Sequence, residues 1–311
     1  LVWLILLIIL TVFSLSIDHF FQVGIFLNMA RQATFVGIIA VGLSLAIIAG
    51  HMDLSTESVM AFAAMTTAYL VASNGAGLGL QINIWLTLLI VLIIGASVGL
   101  INGFLVVQLK INAFIVTLAG YIAVRGLGPV LPGGRSMYGL PQSFRAISSE
   151  QLLGLPVLVV LLIATFVGFQ FVLKYTRFGR YIYLIGNNPK ATFRAGIAVD
   201  RILMWIFVLS GMLSAFAGWL LAARTNGATP NLGMGMLFEA FAAVVIGGVS
   251  LNGGIGRLGG VFAGVLLLSA IDTAINVMGL PPHYMQVVRG SLILLAVLLD
   301  SAKTAIHSRY L

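Results

Sequence analysis

Apolar residues fill this chain in long unbroken blocks, not at the every-second or every-third-and-fourth spacing of a half-buried strand or surface helix. The blocks fall at 1–17, 33–49, 54–73, 83–107, 111–131, 156–173, 202–223, 237–250, 258–278 and 285–299. A helix rises about 1.5 Å per residue and the hydrocarbon of a bilayer is about 30 Å thick, so about 20 apolar residues make one crossing. Ten blocks predict ten transmembrane helices in an all-α polytopic membrane protein, with 1–311 as one transmembrane domain. Splitting the chain near residue 155 leaves five blocks on each side. An odd number per half turns the second half upside down, the arrangement of two five-helix inverted repeats. The first block has no basic residues before it and no small-residue cleavage site, so it is expected to be a span and not a signal peptide. The chain does not begin with Met, which suggests that a polar N-terminus is missing.

Composition agrees and removes whole classes of function. Hydrophobic residues make up 60% of the 311 and charged residues 8%, against about 25% charged in a soluble domain. With a mean hydropathy of +1.13 the chain cannot cover a water-facing surface. The 36 glycines suit helices that pack closely in lipid. Without cysteine there is no disulfide, iron–sulfur cluster or thiolate zinc site, and four scattered histidines give no metal spacing.

A formal charge of +8 raises nucleic acid as a partner, but the placement of the charge argues against it. The interval 174–201, KYTRFGRYIYLIGNNPKATFRAGIAVDR, holds six of the sixteen basic residues. Basic residues in short loops mark the cytoplasmic side. Counting spans outward puts Lys110 and the C-terminal tail, with Lys303 and Arg309, on that same side. The loops 132–155, 224–236 and 279–284 fall outside, with Arg135, Arg145 and Arg224 as exceptions.

Within that interval GNNPKATFRAG, 186–196, predicts a short helix outside the membrane. Asn187 or Asn188 can cap it, and Pro189 suits the first position. Lys190, Ala191, Thr192, Phe193, Arg194 and Ala195 continue it, and Gly196 ends it in a left-handed turn. A capped helix presenting Phe193 between Lys190 and Arg194 is a docking element.

The stretch GHMDLSTES, 50–58, sets His51, Asp53 and Glu57 between two uncharged blocks. Ionisable groups in hydrocarbon are costly unless paired or hydrated. Asp53 reads as the N-cap of the third span at a helix break, a role compatible with a wet cavity. Glu57 shares its face one turn on, so both carboxylates ionise together only if water or a cation separates them. The pair resembles the carboxylates of a hydrolase, but no Ser/His/Asp order or metal spacing accompanies it, so no enzyme is expected. Seven glycines in VIGGVSLNGGIGRLGG, 245–260, interrupt a continuous helix. They fit either close packing plus a turn, or a break whose backbone lines a gate. Glu239, beside Phe238, begins the eighth span, where the helix dipole favours an acid. Asp272 and Asn276 share a face of the ninth and serve as helix glue or as substrate contacts, and Asn102 and Asn112 leave the same choice.

TRFGRYIYLIGNNPKATFRAGIAVDRI resembles the cytoplasmic coupling segment in permease subunits of ATP-binding-cassette importers for simple sugars, the ribose and xylose type. FEAFAAVVIGGVSLNGGIGRLGGVFAGVL is similar to that family's glycine-rich signature. INAFIVTLAG, MDLS and the closing GSLILLAVLLDSA also match, in the same order, so the resemblance spans nearly the whole chain. It implies a permease in the bacterial inner membrane carrying a monosaccharide or related polyhydroxy compound. The implied partners are a second permease copy or homologue, a periplasmic sugar-binding protein and cytosolic ATP-binding subunits gripping Asn187–Gly196. No G-x-x-x-x-G-K-[ST] phosphate loop occurs, so ATP and Mg are expected in a partner subunit and no cofactor in this chain. The resemblance also places a glutamate at Glu239, which makes Asp53, Ser55, Glu57, Phe238, Glu239 and Asn276 the candidate pathway residues. Relatives end the first motif as D-L-S-V-G-S, so Thr56 and Glu57 depart from the pattern, and Glu57 is read as a hydrated, substrate-specific feature. The competing reading is a proton-coupled secondary transporter for a small polar solute, with buried acids and histidine as the relay.

Overall fold

The computed structural model describes residues 2–80, 82–152, 154–281 and 284, 286–288, 290–291, 294 and 298. Twelve helices occupy them: α1 (Val2–Ser16), α2 (Val23–Ile48), α3 (Thr56–Val71), α4 (Ile84–Val107), α5 (Ala113–Val130), α6 (Gln142–Ser149), α7 (Val157–Tyr175), α8 (Arg177–Asn187), α9 (Pro189–Arg194), α10 (Val199–Thr225), α11 (Met236–Ile246) and α12 (Leu258–Val277). Among the described residues, α2, α4, α5, α7, α10 and α12 are each long and apolar enough to cross a membrane. The first nine expected blocks are all helical. In the tenth, 285–299, the described residues 286–288, 290, 291, 294 and 298 are helical and the others lie outside the described residues, as does the tail with Lys303 and Arg309.

Three expected boundaries move for identifiable reasons. The second block begins ten residues early, because polar Asn28, Arg31 and Gln32 are carried within one continuous helix. The third and eighth blocks are shorter than a crossing: α3 has 16 residues and α11 has 11. At 1.5 Å per residue these are about 24 Å and about 16 Å long, against about 39 Å for α2. Both begin after a glycine-marked irregular segment inside the bundle, with Gly50 at φ +80° and Gly235 at φ +89°.

Helix starts are capped by local chemistry. The side chains of Asn83, Asn112, Thr176 and Asn188 accept the N–H of Trp85, Phe114, Gly179 and Ala191, respectively. Asn112 is thereby settled as a cap. Asp53 is not the N-cap of α3; Ser55 holds that position, and Asp53 folds the preceding turn by accepting Ser55 N–H at 3.0 Å.

The long helices α2 and α10 form the buried centre. Gly95 of α4 and Gly211 of α10 bring these helices into backbone contact, as do Gly247 and Gly260 for α11 and α12, where a side chain on either glycine would strike the other helix. Five two-residue strands were not foreseen: β1 (Asn74–Gly75), β2 (Met137–Tyr138), β3 (Gln151–Leu152), β4 (Leu155–Pro156) and β5 (Gly227–Ala228). β1, β2 and β5 form one antiparallel sheet that ties together the loops after α3, α5 and α10, at the end of the bundle away from α9. At the α9 end, Lys110 and Asp200 pair at 3.3 Å. Both are well exposed, so the pair adds little stability, but it puts Lys110 at the same end as the basic interval.

Asn188→Ala removes the α9 cap. The expected result is a loss of about 1 kcal/mol in local helix stability. Amide exchange at 191–195 should then quicken about fivefold while exchange in α10 is unchanged.

Candidate functional site: a polar centre between two broken helices

The ends of α3 and α11 that begin inside the bundle meet each other. Glu57, in the first turn of α3, is fully buried. Its Oε2 accepts the backbone N–H groups of Gly235 at 3.0 Å and Leu237 at 2.9 Å. It is therefore the cap of α11, supplied by another helix, and its charge lies at the positive end of the α11 dipole. Its Oε1 accepts the Tyr121 hydroxyl at 3.2 Å and lies 3.7 Å from Arg125 Nη1. Tyr121 and Arg125 are one turn apart on α5. The same Arg125 Nη1 donates to the carbonyl of Leu232 at 3.0 Å, in the segment leading to α11. Arg125 Nη2 is buried without a partner among the described residues.

A second set lies in the turn before α3. Asp53 Oδ1 accepts both the N–H and the hydroxyl of Ser55, the latter at 2.6 Å. Ser55 Oγ in turn accepts Asn102 Nδ2 of α4 at 2.9 Å, and Thr117 of α5 donates to the Met52 carbonyl at 3.3 Å. Asn102 thus holds the break in place. Toward the α9 end, Gly50, His51 and Met52 line a cavity of about 410 Å³ with Val106, Lys110 and Ala113. Cavities of this order accept small ligands.

The remaining expected pathway residues separate. Glu239 is buried in the first turn of α11, whereas its neighbour Phe238 is 57% exposed on the outside of the chain. Asn276 lies elsewhere: it lines a crevice with Ile25, Asn28 and Gln32, near the start of α2, whereas Asp53 follows the end of α2. Asp272 accepts Gln32 Nε2 at 2.9 Å and fastens α12 to α2.

Sequence reasoning passed over Tyr121 and Arg125. The available signal was an arginine inside an apolar block, which demands a partner as strictly as a lone acid does.

At the α9 end the short helix forms as its residues dictate. Asn188 Oδ1 accepts Ala191 N–H at 3.0 Å, Pro189 is the first helical residue, and Gly196 turns at φ +79°. Asn187, Asn188, Pro189, Lys190, Ala191, Phe193, Arg194, Ala195 and Gly196 are exposed, Phe193 at 71%. Thr192 alone is buried; its hydroxyl donates to Leu184 and Asn188 carbonyls and anchors α9 on α8. Among the described residues no cluster of potential metal ligands occurs.

The glycine-rich stretch resolves into three parts. Gly247 ends α11; Gly248, Gly253 and Gly254 turn with positive φ; Gly259 and Gly260 lie in α12. Gly254 N–H donates to the Ile48 carbonyl of α2 at 2.8 Å, so the turn is bonded to the helix that precedes the first break.

The sequence profile of a family described as branched-chain amino acid transport system / permease component matches residues 25–297. The ribose import permease protein of Haemophilus influenzae is 35% identical over 300 residues, covering 95% of this chain and 91% of that protein. Its counterpart in Bacillus subtilis is 36% identical over 281 residues, covering 90% and 85%. The L-arabinose transport system permease protein of Escherichia coli is 37% identical over 267 residues, covering 86% and 79%. No solved structure matches the chain.

Proposed function

Because this chain belongs to the family of branched-chain amino acid transport system permease components, we propose that it is the membrane-spanning subunit of an ATP-driven importer for a monosaccharide or related polyhydroxy compound. One observation carries the reading: a capped helix outside the long apolar helices presents an exposed Phe193 beside Arg194. Large exposed aromatics next to arginine are what protein interfaces use as anchors. The occupant of that surface is a cytosolic ATP-binding subunit, which holds ATP and Mg. Exposed Asn187–Ala191 and Phe193–Gly196 form the contact, with Thr192 as its anchor.

Two copies of the chain, or one copy and a homologue, enclose the path in the inner membrane, and a periplasmic binding protein delivers substrate. The α9 end and the C-terminus face the cytoplasm. Packing supports the inverted repeat: α2 packs on α11 and α12, and α10 packs reciprocally on α3 and α4. The tenth helix completes the second half. The path runs by the two interior helix starts, where ions and substrates are held in transporters built from broken helices. Both carboxylates there are spent on protein donors, so the centre offers hydroxyl and amide groups instead of free negative charge. Arg125 Nη2 is a buried donor with no partner among the described residues, which an ordered water satisfies. Glu57 is thus a structural member of the path wall.

The test is uptake by liposomes holding the chain with its ATP-binding subunit, with labelled pentoses and hexoses supplied on a candidate binding protein. ATP enclosed with the ATP-binding subunits should drive accumulation. Uptake by the chain alone under a pH gradient would overturn the reading.

A further inference from the structure

Three backbones meet where α8 joins the bundle. Gly186, one residue before the end of α8, touches the Ile48 carbonyl at the end of α2 and the Gly254 N–H of the glycine turn so closely that no Cβ fits there. Gly253 lies against the Gly186 carbonyl and against Gly50, and Gly254 N–H donates to Ile48 O at 2.8 Å. One turn earlier on α8, the Tyr183 hydroxyl donates to the Gly256 carbonyl at 2.8 Å. Burial raises the Tyr183 phenol above its ordinary value, further from ionisation.

The placement matters because of what each segment leads to. Gly186 is two residues before Asn188, the cap of α9. Ile48 and Gly50 lead into the turn that carries Asp53 and Ser55. The glycine turn is the exit from α11, whose other end is held by Glu57. Side chains interposed at such a meeting point would yield by changing rotamer. Backbone against backbone has no such slack, because close-packed elements shift between discrete arrangements instead of deforming.

We propose that Tyr183 and Gly186 are positioning residues for transport: they pass a displacement of α9 to both broken helices at once. The inference rests on the importer reading. Movement of α9 by an ATP-binding subunit shifts the end of α2 and the exit of α11 together; the first leads into the turn of Asp53, and the second ends the helix whose other end Glu57 holds.

The experiment uses the complete importer in liposomes and counts substrate delivered per ATP hydrolysed. For Gly186→Ala, whose methyl group forces the joint apart, the ratio should fall about tenfold or more while hydrolysis continues. Tyr183→Phe removes one hydrogen bond without adding bulk, and the ratio should fall about fivefold, with assembly and thermal midpoint unchanged. Gly168→Ala, on α7 with open space around it, should match the unsubstituted importer. If Gly186→Ala does not assemble, Tyr183→Phe decides alone. An unchanged ratio in every assembled variant overturns the joint and leaves the importer reading standing. Failure of the unsubstituted complex to couple uptake to ATP overturns the importer reading itself.

Discussion

Glu57→Leu is expected to abolish transport and to lower the thermal midpoint of the solubilised chain by roughly 5–15 °C. The carboxylate accepts two backbone N–H groups of α11 and the Tyr121 hydroxyl, and it faces Arg125. Leucine leaves these donors unanswered inside the bundle and takes the carboxylate away from the partly buried Arg125 guanidinium, which keeps only the Leu232 carbonyl. Breaking a buried pair by removing one partner costs about 3–5 kcal/mol. For a chain of this length that corresponds to several degrees or more in midpoint. Glu57→Gln keeps an oxygen for the α11 cap but loses the charge and turns an amide donor toward Tyr121 and Arg125, so it should fall between leucine and the parent. Removing both charges in Glu57→Leu with Arg125→Met should restore part of the stability lost by Glu57→Leu alone, because the two effects share one interaction. A Glu57→Leu protein with the parent's midpoint and uptake would sink this account of the polar centre.

Phe193→Ala is expected to weaken association with the ATP-binding subunit roughly thirtyfold, the effect of losing an aromatic anchor of about 2 kcal/mol. ATP-driven uptake should fall in step. The chain's own thermal midpoint should not move, since Phe193 is 71% exposed and contributes little to the chain's own core. Co-purification at controlled subunit concentration, alongside a melting curve, separates the two effects. An unchanged subunit affinity would remove Phe193 from the contact.

Much of this was readable from residue order. Asn188, Pro189 and Gly196 specify the cap, first residue and end of α9 by their own backbone preferences, and the structure has each in that role. Long apolar blocks fixed nine helices because in lipid every backbone polar group must bond within its own segment. The starts of α3 and α11 were legible to within two residues, because a polar stretch before α3 and glycines before α11 interrupt the apolar pattern there; that the two starts meet each other was not.

The pathway residues show the limit most clearly. Asp53 and Ser55 interact within five residues of chain, and a local reading found the break they build, although it gave Asp53 the cap position that Ser55 holds. Phe238 was grouped with them as the neighbour of Glu239 and Asn276 as the face-mate of Asp272, and the structure places both apart from Asp53. Glu57 seemed to confront Asp53 one turn away. Instead its partners come from Tyr121, Arg125, Gly235 and Leu237, the last two 178 and 180 residues distant.

The sequence by itself determined that this chain lives in a bilayer, where its helices run, and which short capped element stands outside them. Each of these depends on transfer energies and backbone preferences that act over a turn or a span. Only the tertiary structure decided which acid meets which base, which carboxylate caps which helix end, and that α8 abuts the end of α2 and the glycine turn after α11 through bare backbone. Those choices depend on the packing of segments far apart in the chain, and glycine, having no side chain, records nothing in the sequence of the neighbour it will touch.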